Sequence, residues 1–218
     1  MKDSFFVVLV TLLGLSLGAP GLHHPWHLRT SPEWNQGKEP YIVGGVAVND
    51  GDFPSMVSLK YEGFHTCGGS IINQEWILTA AHCTALNGAD ESAYSVSVGS
   101  IRLDQGTVHQ VLEIHEHQNF SQYTTLDDIS LWKVTPPIQL GGVVGIANLP
   151  AKNEETPAGK QATVVGWGYI YGDSGGPLYV DNKNVGIVSW GQPCAIKGYP
   201  TVYTRVAEYI DWIQETIR

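Results

Sequence analysis

Gly172-Asp173-Ser174-Gly175-Gly176-Pro177 sets a serine on a glycine-rich turn, with an acid before it and a proline closing the run. Glycine has no Cβ, so the backbone there can turn sharply and approach another group closely. Side chains stay clear of the serine hydroxyl, and nearby N–H groups are free to face a carbonyl oxygen that gains charge. A serine hydroxyl is a weak nucleophile at neutral pH. It needs a base within hydrogen-bond reach, and that base needs a third group to orient it. The turn therefore predicts a histidine and an acid elsewhere in the chain.

A Gly-x-Ser-x-Gly turn also suits an α/β-hydrolase, but there the histidine follows the serine. All 8 histidines of this chain precede Ser174. Upstream, Thr79-Ala80-Ala81-His82-Cys83 ends an apolar run, and Asp127-Asp128-Ile129-Ser130-Leu131 comes later. The order His, Asp, Ser is that of the chymotrypsin-type triad. Four further motifs keep their order around it: Ile42-Val43-Gly44-Gly45, Cys67-Gly68-Gly69-Ser70, Gly166-Trp167-Gly168 and Ser189-Trp190-Gly191. On these motifs the chain from Ile42 to Arg218 resembles the chymotrypsin/trypsin-family serine endopeptidases. Taken singly, His82 reads as readily as a packed histidine and the serine turn as a plain loop. The ordered set separates the two readings.

The resemblance implies an all-β fold of two six-stranded antiparallel barrels, with the reacting groups in the cleft between them. Ser174 would attack the scissile carbonyl, His82 would carry its proton to the leaving amine, and Asp128 would hold the imidazole. Asp127 competes for the last role, but the family acid stands directly before Ile-x-Leu, which selects Asp128 and leaves Asp127 as a loop acid. The N–H groups of Gly172 and Ser174 would form the oxyanion hole. Ser189 would hydrogen-bond the buried aspartate, and Ser189-Trp190-Gly191 would pair with substrate backbone as an added strand. Thr201 would line the specificity pocket where glycine is frequent, narrowing it toward small or apolar side chains. Cleavage before Ile42 would free an ammonium that inserts and pairs with Asp173, since a buried charge survives only when paired. Tyr41 precedes Ile42 where the family has Arg or Lys, so the activating cut would come from an enzyme preferring aromatics or from further trimming beyond Lys38.

The 3 cysteines make an odd set for a secreted chain. The resemblance pairs Cys67 with Cys83 and leaves Cys194 unpaired, because its usual partner falls where Tyr169-Ile170-Tyr171 stand. That gap is part of a larger one. His82 to Asp128 spans 46 positions, as the family suggests, and Asp128 to Ser174 also spans 46, about half of the family distance. Family members carry roughly 50 residues between Gly-Trp-Gly and the nucleophile turn, judged from the usual size of a two-barrel domain. The missing residues would hold two strands and one pocket wall. Gly168 then falls at the pocket-base position only by an empty alignment. A barrel closes only with matched strand number, tilt and stagger. Four strands cannot close one like the first, so the second barrel is expected to be incomplete, with open edges. A skipped exon, a faulty gene reading or a degenerate paralogue would each produce such a chain.

Short β-branched and aromatic runs between turns agree with an all-β reading. They cover Ser55–Tyr61, Gly69–Ile77, Tyr94–Val98, Thr107–Ile114, Ser130–Val134, Gln161–Trp167, Pro177–Val180, Val185–Trp190 and Thr201–Val206. Only the end reads as helix, where Val206, Tyr209, Ile210, Ile213 and Ile217 form one apolar stripe. His115 and His117 alternate in one strand and read as two surface histidines, with no third ligand for a metal.

Residues 1–18 read as a signal peptide: Lys2, an apolar run from Phe5 to Leu17, and small residues before a cut after Gly18. The run is too short for a membrane span, which needs about 20 residues. Residues 19–41 read as a propeptide whose His23, His24 and His27 are solvated, and 42–218 as the protease-like domain. The whole formal charge of −9 lies from Ile42 onward, where 18 acids face nine Lys or Arg. No basic patch exists, which argues against nucleic acid and anionic membrane as partners. Expected partners are protein or peptide substrates, an activating protease and protein inhibitors, for a secreted monomer without metal or cofactor. The competing reading is a non-catalytic homologue or truncated isoform that acts by binding or not at all.

Overall fold

The structure is a computed structural model and describes residues 6–11, 46–85, 88, 90–167, 173–191 and 201–218. Twelve strands are numbered in chain order. The first six are β1 (Phe6–Thr11), β2 (Val46–Ala47), β3 (Met56–Tyr61), β4 (Phe64–Ile71), β5 (Trp76–Thr79) and β6 (Tyr94–Val98). The rest are β7 (Thr107–Glu116), β8 (Ser130–Thr135), β9 (Gln161–Gly166), β10 (Pro177–Val180), β11 (Lys183–Trp190) and β12 (Val202–Arg205). A single helical turn, α1 (His82–Ala85), follows β5, and α2 (Ile210–Thr216) ends the chain. The fold is all-β of the chymotrypsin type.

Strands β3 to β8 close into an antiparallel barrel in the order β3-β4-β5-β8-β7-β6. Side chains of a strand alternate between faces. On β7, buried His109 and Val111 alternate with exposed Val108 and Leu112. The interior is filled by Leu59, Ile77, Val96 and Leu131, none of which retains solvent exposure. Tyr94 and Trp132 meet there edge-on, with ring centroids 4.9 Å apart. The run read as one strand over Gly69–Ile77 is two strands, β4 and β5, joined by a turn. Ile71 pairs with Ile77 across that turn, and the polar Asn73-Gln74-Glu75 lies in it.

The second half is an open six-stranded sheet, ordered β12-β11-β10-β9-β1-β2. It contains the four expected strands and does not close, as the missing stretch implies. One expectation is corrected: the β9 edge is not left open. Phe6–Thr11 lies antiparallel along it, from Phe6 opposite Gly166 to Thr11 opposite Gln161, and Val46–Ala47 pairs with the far side of β1.

The halves are joined by polar contacts and a shared core. Ser55 Oγ and Tyr179 OH lie 2.6 Å apart, and Asn184 Nδ2 donates to Ser70 Oγ at 2.8 Å. The C-terminal stripe behaves as read: Val206, Ile210 and Ile213 are buried in one cluster with Leu59, Ile77 and Ile187. Its first turn, Val206–Glu208, is a 3-10 helix. His117 is corrected to a buried residue. Its ring packs edge-on against Tyr209 and Trp212 of the C-terminal segment, at 5.3 and 5.2 Å. No helix among the described residues is long and apolar enough to cross a membrane.

Candidate active site

The site is built where the end of β5, the start of β8 and the turn before β10 converge. Strand β5 delivers Thr79, and the chain then turns through Ala80 and Ala81, both fully buried, into α1. This fixes His82 at the barrel rim, with about a quarter of its side chain exposed. Asp128 lies just ahead of the neighbouring strand β8, whose Ser130 pairs with Thr79, and is fully buried.

Asp128 binds His82 twice. Its Oδ1 accepts the His82 backbone N–H at 2.9 Å, and its Oδ2 lies 2.7 Å from His82 Nδ1. Ser189 Oγ donates to the same Oδ2 at 2.5 Å, and Thr204 Oγ1 donates to the Asp128 carbonyl at 2.7 Å. Burial alone would push the Asp128 carboxyl up. The hydrogen bonds from His82, the His82 charge and the Ser189 hydroxyl outweigh it, and the carboxyl lies below the ordinary range. A carboxylate that stays ionised beside Nδ1 leaves Nε2 as the nitrogen available to act as a base.

Asp127 is turned away. It has a left-handed backbone, φ 52°, and its Oδ1 accepts from Tyr209 OH at 2.8 Å and lies 3.9 Å from His117 Nδ1. The loop acid is therefore anchored to the C-terminal helix. Burial and the neighbouring carboxylate push the Tyr209 hydroxyl well above its usual value, so it remains a donor.

The nucleophile turn lies against both halves of the molecule. Gly68 N–H of β4 donates to the Ser174 carbonyl at 2.8 Å. Gly175 N–H donates to Val188 O of β11 at 2.8 Å, and Val188 N–H returns to Gly176 O at 2.9 Å. Among the described residues the Ser174 N–H has no hydrogen-bond partner. The glycines are required by contact. Gly175 has φ +77°, and a Cβ there would strike Thr79 Oγ1, with Gly68 O at 2.6 Å and Cys83 Sγ at 3.0 Å. A Cβ on Gly68 would lie 3.0 Å from Gly176 Cα. Gly166 has no room for a side chain because the Asp173 carboxylate lies against it.

Cys67 and Cys83 form a disulfide directly beside His82. These three residues are also the described group whose ligand atoms cluster closely enough for a metal, but both sulfurs are committed to the bridge. At the other end of the site, Ser189 is buried and Trp190 half-exposed at the end of β11. Gly191 lies against Thr201, and a Cβ on Gly191 would be 3.2 Å from both Thr201 Cα and Oγ1.

The structure thus brings together His82, Asp128, Ser189 and the turn bearing Ser174, and sets Gly191 beside Thr201. Among the described residues no hydrogen bond joins Ser174 Oγ to His82. Tyr41, Ile42, Gly168, Gly172 and Cys194 lie outside the described residues. Sequence reading missed two supports, Thr204 on Asp128 and Tyr209 on Asp127. Both come from the C-terminal segment, and no local pattern announces a partner 76 or 82 positions away.

Comparison with known proteins gives the family. The sequence profile of the Trypsin family matches residues 42–171 and 170–213, two stretches that meet immediately before the nucleophile turn. The chain is 31% identical to Trypsin from Phaedon cochleariae over 225 aligned positions, spanning 80% of this chain and 87% of that protein. It is 32% identical to Trypsin II-P29 from Gallus gallus, spanning 81% of this chain and 89% of that protein. Each alignment is longer than the share of this chain that it covers, so the relatives carry residues with no counterpart here. With these matches over most of its length, the chain belongs to the trypsin family of serine proteases.

Proposed function

We propose that this protein is a secreted serine endopeptidase, made as a zymogen, that cleaves peptide bonds through an acyl-enzyme on Ser174. The observation that carries the reading is the His82–Asp128–Ser189 chain of hydrogen bonds, set beside a serine turn pinned to Gly68 and Val188. In the first step Ser174 Oγ attacks the scissile carbonyl carbon while His82 Nε2 takes its proton. The imidazolium at His82 is stabilised by ionised Asp128, and the N–H groups of Ser174 and Gly172 hold the oxyanion. His82 returns the proton to the leaving amine, and water then releases the acyl group by the reverse sequence.

Ser189-Trp190-Gly191 would align substrate backbone as an added strand. Thr201 beside Gly191 favours a small or apolar side chain at the cleavage site. Residues 1–18 would direct the chain for secretion and 19–41 would be removed by a cut between Tyr41 and Ile42. The new Ile42 ammonium would pair with Asp173, and protein substrates, an activating protease and protein inhibitors would be the partners of a monomer. Hydrolysis of a peptide panel by chain cut at Tyr41, abolished in Ser174→Ala, tests the reading. No hydrolysis of any peptide by correctly cut chain would overturn it.

One observation favours a second reading, a non-catalytic or truncated isoform: among the described residues the second sheet is open, where the first half closes into a barrel. Under that reading, amplifying the transcript across Gly168 to Gly172 yields a longer product beside the one for this chain, which binds substrates or inhibitors without turnover; a single longer product would rule this chain out.

A further inference from the structure

Strand β9 is a central strand of the second sheet, with Ala162, Val164 and Val165 buried. On one side it pairs with β10, through Leu178 opposite Val164 and Tyr179 opposite Thr163. On its other side β9 presents a second edge, and it ends at Gly166, shortly before the break in the profile match at residues 170–171. An edge of this kind, apolar and with unpaired N–H and C=O groups, is a template for another strand. In the structure that template is filled by Phe6–Thr11, paired residue for residue across the whole length of β9. The segment is Phe-Val-Val-Leu-Val-Thr, β-branched and uncharged with no glycine or proline, a composition suited to an extended strand. Val46–Ala47 then covers its outer side.

We propose that the β9 edge is a strand-acceptor site whose occupant is the chain's own Phe6–Thr11, which takes the place of the strand lost before the nucleophile turn. The N-terminal segment therefore has two exclusive fates. Cleavage after Gly18 removes it and exposes the β9 edge, whereas retention completes the sheet as β1. The acceptor lies next to the chemistry, because Gly166 at the end of β9 contacts the Asp173 carboxylate. Filling the edge thus bears on the order of the nucleophile turn.

The test is amide hydrogen exchange on the purified full chain, residues 1–218, compared with a Val8→Pro/Val10→Pro variant. Proline removes the donor and cannot sit in a paired strand interior. The expected result is protection of Gln161–Gly166 in the parent chain, lost at least about tenfold in the variant. Thr107–Glu116 of the closed barrel should be unchanged. Absence of protection in the parent, or equal protection in the variant, would overturn the proposal. Should the variant also lose barrel protection, cysteine pairs decide in a Cys194→Ser background: Val8→Cys/Val164→Cys and Leu9→Cys/Thr163→Cys. Both are register partners, and one of two adjacent antiparallel pairs is the close pair that a disulfide can span. A cross-link in one of them supports the site. None in either, with Cys67–Cys83 formed, refutes it.

Discussion

Ser189 Oγ and His82 Nδ1 converge on one atom, Asp128 Oδ2, at 2.5 and 2.7 Å. Ser189 comes from β11 of the open sheet and His82 from the rim of the closed barrel. Asp128 therefore joins the two halves as well as orienting the imidazole. Its carboxylate is fully buried, so each donor lost leaves a charge without compensation.

This gives a pH dependence with a definite sign. Burial would raise the Asp128 carboxyl, but its partners hold it below the ordinary value of about 3.9. A group depressed in the folded state contributes stability above its unfolded value, and loses it as pH falls through the folded one. Replacing Ser189→Ala removes one cause of the depression. The acid midpoint of urea unfolding should move to higher pH, and stability at pH 7 should fall by about 1–3 kcal/mol. An unchanged acid limb in unfolding curves from pH 2 to 6 would show that Ser189 does not hold the carboxylate.

Gly175 is a sharper probe of the nucleophile turn. A side chain there meets both a left-handed backbone and the group formed by Thr79, Gly68 and Cys83. Gly175→Ala should cost about 1–3 kcal/mol from backbone strain alone, more with the clash, in urea titrations. Gly159→Ala is the control, since it shares a positive φ but has nothing within 4 Å. It should cost distinctly less.

The Cys67–Cys83 bridge closes a loop of 16 positions that contains β5 and the approach to His82. The double replacement Cys67→Ala/Cys83→Ala should lower stability by about 3 kcal/mol in the chain-entropy account. The same loss should follow from reduction of the parent chain, read as a fall in the urea midpoint.

Thr201 against Gly191 gives a specificity prediction that depends on the proposed activity. Thr201→Gly removes the side chain that narrows the pocket. The ratio of kcat/KM for aromatic over alanine cleavage sites should rise by about tenfold or more, the usual worth of a few apolar contacts. An unchanged ratio would set Thr201 outside the pocket.

The sequence was most legible where short β-branched or aromatic runs end at turns. Tyr94–Val98 and Pro177–Val180 were read with the bounds they have. Gly69–Ile77 was misread because β4 and β5 are both buried there, so the apolar run hides the polar turn at Asn73-Gln74-Glu75. The His82–Asp128 contact joins two short motifs that the sequence shows in order, Thr79-Ala80-Ala81-His82-Cys83 and Asp127-Asp128-Ile129-Ser130-Leu131. His117 was misjudged because its burial comes from Tyr209 and Trp212, nearly a hundred positions on. The role of Phe6–Thr11 was hidden for another reason. An apolar run near a positive N-terminus looks alike as a leader or as a strand, and its pairing partner begins only at Gln161, far along the chain.

Under the proposed function, the turn bearing Ser174 lies close enough to His82 and Asp128 to activate the hydroxyl. The direct measurement is labelling with a fluorophosphonate of chain cleaved between Tyr41 and Ile42, with the adduct located by peptide mass mapping. The account predicts one adduct per chain, on Ser174, that disappears in His82→Ala and slows steeply in Asp128→Asn. No adduct on Ser174 in correctly cleaved chain, or labelling indifferent to His82, would contradict it.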